Sequence, residues 1–149
     1  MMKDRFTVGF IAGTIAAIVS QFVNFLLVSI INLGNMRFVD FSGVMILGHI
    51  PDSLGEEIVA YIGYIVFSGL LAQIYMYFIK LVGHQNYWFK SIIFGIGSWF
   101  SIYSITILFA VEGLKEISME TAITNFIASI TYGLVIGIVA YILEKKYDY

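Results

Sequence analysis

The chain has 149 residues, of which 60% are hydrophobic, 12% are charged and none is cysteine, with a net charge of −2. An ordinary soluble domain is about 25% charged, so this chain lacks the polar surface to cover its apolar residues in water. Disulfides, thiolate metal sites and cysteine nucleophiles are excluded, and the Lys and Arg residues are too scattered to form a nucleic-acid face.

Four apolar stretches run Phe6–Leu33, Ile58–Val82, Ile92–Val111 and Ala122–Leu143, and their middles carry no Asp, Glu, Lys, Arg or His. Each meets the ~18–20 residues that a helix needs to cross ~30 Å of hydrocarbon. The expected fold is all-α and membrane-integral, an antiparallel bundle of four transmembrane helices in a single domain over residues 1–149. The first stretch follows Lys3 and Arg5, yet it is far longer than the ~7–15 residues of a secretory h-region. It reads as a permanent span.

With four spans, Lys3, Arg5, Lys80, Lys90, Lys145 and Lys146 fall on one side and only Arg37 and Lys115 on the other. The positive-inside rule then puts both termini in the cytoplasm of a multi-pass cell-membrane protein. Tyr87, Trp88 and Phe89 before the third span, and Tyr147 and Tyr149 after the fourth, suit the headgroup level.

The first outer loop, residues 34–57, contains a mostly apolar segment, Phe38–Ile50, too short to cross. A short helix in the outer interface, or a segment dipping into the bundle, fits it. Ser53 and Glu56 have capping-box spacing at the start of the second span. Asp40, Asp52, Glu56 and Glu57 form a candidate acidic contact surface; with His49 they are also a candidate cation site, though their spacing matches no metal pattern. The inner loop is Gly83-His84-Gln85-Asn86, with Asn86 a helix start, and short connections imply antiparallel neighbours.

A faint internal echo aligns Glu56–Lys80 with Glu120–Glu144, matching Gly69 to Gly133 and Tyr77 to Tyr141; Phe10–Gly13 likewise aligns with Ile92–Gly95. This reads as a duplicated helical hairpin with both halves in one orientation, or as an ordinary bundle.

Membrane helices associate through small residues and cross-helix hydrogen bonds. Gly9, Gly13, Gly95, Gly133 and Gly137 lie at packing intervals, Gly9/Gly13 and Gly133/Gly137 as G-x-x-x-G pairs. Gln21, Asn24, Gln73 and Asn125 lie within spans, Gln21 and Gln73 at similar depth by position. An amide facing hydrocarbon leaves costly unpaired groups, so these should face inward. Together with Ser98, Ser101 and Ser104 they form either interhelical hydrogen bonds or a neutral polar path.

No carboxylate, His or basic residue lies mid-span to couple ions or protons, and no nucleophile has a base beside it. The expectation is a protein that is not an enzyme and takes no cofactor or metal.

Gly9-Phe10-Ile11-Ala12-Gly13, Lys90-Ser91-Ile92-Ile93-Phe94-Gly95 and Tyr132-Gly133-Leu134-Val135-Ile136-Gly137 give the chain a loose resemblance, over its whole length, to small four-span membrane proteins of Gram-positive spore-forming bacteria, the group called YqhR-like. The resemblance implies the four-span fold and brings no reaction, ligand or catalytic residue. The functional expectation is a non-enzymatic structural or interaction component of a membrane assembly. Its partners would be the bilayer and a membrane protein or further copies of itself. The alternative is a small channel or transporter-like protein with a neutral polar path.

Overall fold

The computed structural model describes residues 4–146, without the side chain of Lys146. Lys3, Tyr147 and Tyr149, read above as a flanking charge and interface aromatics, lie outside the described residues.

The described residues form five helices: α1 (Arg5–Phe25, continued by Leu26–Ile30), α2 (Phe38–Leu47), α3 (Leu54–Val82), α4 (Tyr87–Leu108) and α5 (Met119–Lys146). Four of them, all but α2, are long and apolar enough to cross a membrane, which makes this a multi-pass membrane protein by length and composition. The all-α bundle is as the apolar pattern predicts.

Local chemistry sets the ends. Asp4 caps α1 by accepting from the Phe6 N–H at 3.1 Å. At the other end the last turn widens, with the Ile31 N–H reaching back five residues to Leu26 O. Asn32, in the left-handed region at φ 58°, stops the helix short of Leu33. Ser53 caps α3 through the Glu56 N–H, but the Glu56 carboxylate accepts from the Asp52 N–H, one residue before the cap, so the reciprocal capping box is not closed. At the far end of α3, Lys90 Nζ donates to Val82 O and Gly83 O, both at 2.8 Å. A cation thus satisfies carbonyls that a helix end leaves open. Asn86 precedes α4 in the left-handed region and makes no side-chain cap bond.

Among the four long helices three pairs pack closely: α1 with α3, α4 with α5, and α1 with α5; α2 packs on α3. The glycines explain the first two. A Cβ at Gly13 would overlap Ser68 O and Ala72, next to the Gly69 backbone; one at Gly95 would overlap Ser129 O, next to the Gly133 backbone. Gly9 lies against Gln73 and Gly137 against Ser91. In the register of the internal echo Gly13/Gly69 corresponds to Gly95/Gly133, and Gly9/Gln73 to Ser91/Gly137. Both hairpin pairs therefore cross at the same residues.

The fourth possible contact is missing. α3 and α4 are joined by only Gly83–Asn86, yet they barely pack. They touch near the turn, through Tyr75–Phe94 (ring centroids 5.3 Å) and Phe78–Phe94 (6.3 Å), and splay apart beyond it. The inference from short loop to packed neighbours fails here, because α2 occupies the gap. Phe38 stacks on Tyr64 of α3 and Phe41 on Tyr103 of α4. Within the 38–50 segment, Phe38–Leu47 is thus a short helix folded against the bundle, with Phe38, Val39, Phe41 and Val44 buried.

Candidate functional site

The polar residues of the spans act in three separate places. Asn24 of α1 donates through Nδ2 to Asn125 Oδ1 of α5 at 2.8 Å, and Asn125 Nδ2 donates to the Tyr103 hydroxyl of α4 at 2.8 Å. Asn24 Oδ1 accepts from the Phe38 N–H at 2.9 Å, pinning the first turn of α2. Four helices meet at this chain of bonds, and both asparagines are fully buried. A second tie joins Ser20 to the Tyr64 hydroxyl at 3.0 Å, and the Tyr132 hydroxyl donates to Ser68 O at 2.6 Å.

Gln21 and Gln73 are not partners, although their positions along the spans suggested similar depth. Gln73 Nε2 donates to Phe6 O at 2.7 Å. Phe6 lies fifteen residues before Gln21, about 22 Å along α1. Gln21 is buried with neither amide atom bonded. The serine stripe of α4 does not line a path with them. Ser98 and Ser101 each donate to a carbonyl of their own helix four residues back, Phe94 O and Gly97 O, both at 2.8 Å, and Ser101 is exposed. A hydroxyl satisfied within its own turn has no need to face the bundle. Ser104 is half-buried.

The acidic loop is largely neutralised. Asp40 is buried rather than displayed. Arg37 pairs through Nη2 with Asp40 and with Glu57 of α3, both at 2.9 Å, and its backbone N–H donates to Asp40 at 2.6 Å. Burial by itself disfavours the Arg37 charge; the hydrogen bonds to Asp40 and Glu57 outweigh it and hold the guanidinium more firmly protonated than usual. Only Asp52 is left exposed and without a side-chain ion pair, since Glu56 lies 3.8 Å from His49. Among the described residues no three His, Cys, Asp or Glu side chains are placed to hold a metal ion, so the cation site read from these residues is not assembled.

The feature that sequence reasoning missed is the space left by the splay. A cleft of about 450 Å³ lies between α3 and α4 beside α2, lined by Phe41, Met45, Val66, Phe67, Leu70 and Ile105 among others. Its polar lining is slight, Ser42, Tyr64 and Thr106, and the Thr106 hydroxyl is bonded to Tyr103 O. A separate cavity of about 30 Å³, which shares Phe38, Tyr64, Phe67 and Ile102 with the cleft, is lined by Ser98, Ser129 and Tyr132. The tyrosines were the available signal: Tyr64 and Tyr132 sit well inside α3 and α5 and Tyr103 in the last two turns of α4, and a phenol within a span needs a partner inside the protein.

Comparison with protein-family models, with curated proteins and with solved structures finds no match to this chain.

Proposed function

We propose that this protein is a non-enzymatic component of a cell-membrane assembly, with both termini cytoplasmic, that holds an apolar lipid chain in the lateral cleft between α3 and α4. The observation that carries the reading is the splay of two consecutive spans, which leaves an almost wholly apolar cleft open to the side. Within a bilayer such a space is filled from the hydrocarbon phase. The lining favours a flexible chain over a partner helix. The close helix contacts along α1/α3 and α4/α5 are made at Gly, Ala or Ser, as membrane helices require, whereas the cleft wall is dominated by Phe, Tyr, Ile, Leu and Met.

A neutral polar path is less well supported, because Asn24 and Asn125 are engaged in cross-helix bonds and Gln21 and Gln73 lie at different levels. The lipid reading is tested by native mass spectrometry after mild-detergent extraction. Wild type should retain a lipid. Val66→Trp with Ile105→Trp, two exposed positions on the cleft wall, should lose most of it at an unchanged unfolding midpoint. Equal retention in both proteins would overturn the reading. Reporter fusions at each end test the cytoplasmic assignment.

A further inference from the structure

Among the described residues Gln21 is the only buried amide with neither its oxygen nor its nitrogen bonded. Its residue is 5% exposed, and it lines a groove of about 270 Å³ between α1 and α3, walled by Ile18, Phe22, Phe25, Tyr61, Tyr64 and Ile65. The groove and the lipid cleft are neighbours that share Tyr64 of α3; otherwise Tyr61 and Ile65 line the groove, whereas Gly63, Val66, Phe67 and Leu70 line the cleft. Unpaired amide atoms in a hydrocarbon setting are costly, so the groove calls for a polar partner at this depth.

Depth selects the partner. The first span runs Arg5–Ile30, and Gln21 stands sixteen residues from one end and nine from the other. It therefore lies about 5 Å from the middle of the helix. Ester and headgroup oxygens sit at the edges of a ~30 Å hydrocarbon slab, too far away to reach it. A side chain from another helix can reach it. In a two-fold dimer with its axis along the membrane normal, each residue lies at the same depth as its own copy, and a residue next to the axis faces that copy. A carboxamide carries two donors and an acceptor on one group, so it complements itself.

We propose that two copies of this chain associate across the α1/α3 face, each turning its Gln21 side chain into the groove to bond the partner's Gln21.

The test is association in lipid vesicles, read by energy transfer between labelled copies over a range of protein-to-lipid ratios. Wild type should dimerise. Gln21→Leu should weaken dimerisation roughly three- to thirty-fold, the range expected for a cross-helix amide bond, while Gln21→Asn keeps part of it. The unfolding midpoint of Gln21→Leu should be unchanged or raised, since the substitution removes buried unpaired atoms. Independently, in the protein with Gln21 intact, Phe22→Cys should cross-link between copies and Phe100→Cys, on the outer face of α4, should not; both side chains are exposed. Wild type that stays monomeric, association unchanged in Gln21→Leu, or equal cross-linking at both cysteines would each overturn the proposal. Val66→Trp with Ile105→Trp fills the cleft and leaves this face untouched, so loss of lipid without loss of association separates the two proposals.

Discussion

The α1/α3 pair and the α4/α5 pair are built alike and finished differently. Each pair crosses where two glycines meet, Gly13 on Gly69 and Gly95 on Gly133. If the halves were fully equivalent, α4 would pack on α3 as α1 packs on α5. Instead α1/α5 is closed through Asn24 and Asn125, while α3/α4 is held open by α2. The positions corresponding to Asn24 and Asn125 in the other half are Thr106 and Tyr61, and no bond between these two forms. The insertion after the first span, anchored by Arg37 and the aromatic residues of α2, converts what would be a second helix contact into a cleft.

Substitution at the glycine crossings should have the largest effect. Gly95→Leu or Gly13→Leu drives a side chain into backbone that cannot move aside, and should cost about 3 kcal/mol or more in either half. Gly97→Leu meets open space and should shift stability by no more than about 0.5 kcal/mol. Unfolding midpoints in detergent compare the three, and a large gap between Gly13→Leu and Gly95→Leu would break the equivalence of the halves.

Arg37→Met comes next. It leaves Asp40 buried without its cation, which should cost about 3 kcal/mol and release α2 from the gap. Limited proteolysis within residues 34–53, faster in the variant, is the readout.

Asn125→Leu removes the link between α1 and α4 and strands the Tyr103 hydroxyl, for roughly 1–3 kcal/mol. A double-mutant cycle with Asn24→Leu should return a coupling of about 0.6–2 kcal/mol. Additive effects would mean that this bond does not hold the closed side.

The smallest effect concerns the outer end of α3. The His49 pKa is raised, first by the ring's hydrogen bond with Ile50 O and then by Glu56. A histidine with a raised folded-state pKa contributes its stability in full below its ordinary value of about 6.5 and loses it as pH rises through the raised value. Wild type should therefore lose slightly more stability than His49→Gln on going upward through that window.

Much of this architecture was legible in the sequence. Uncharged stretches of spanning length located all four long helices, and the spacing of Gly9, Gly13, Gly133 and Gly137 marked their contact faces, with Gly13 and Gly133 against backbone and Gly9 and Gly137 against side chains. Asn24 and Asn125 could be assigned to the interior because an unpaired amide in hydrocarbon is costly. Periodicity, however, reports which face of a helix is small or polar, and not which helix it meets. Ser98 and Ser101 carry the same pattern as an interface and satisfy themselves on their own helix. Asp40 reads as a surface charge until α2 packs into the bundle and buries it; its pairing with Arg37, three residues earlier, is local, whereas the Arg37–Glu57 pair comes only with the fold. The α3/α4 gap depends on where α2 comes to rest, a long-range outcome that neither the four-residue turn nor the helix periods encode.

The absence of cysteine makes pairwise spin labelling the most direct test of one closed and one open side. Phe25 with Ile123 reports on α1/α5; Ile107 with Val59, the corresponding residues of the other half, reports on α3/α4, and all four side chains are exposed. In lipid nanodiscs the Ile107–Val59 separation should exceed the Phe25–Ile123 separation. Equal separations, or a shorter one across α3/α4, would contradict the account.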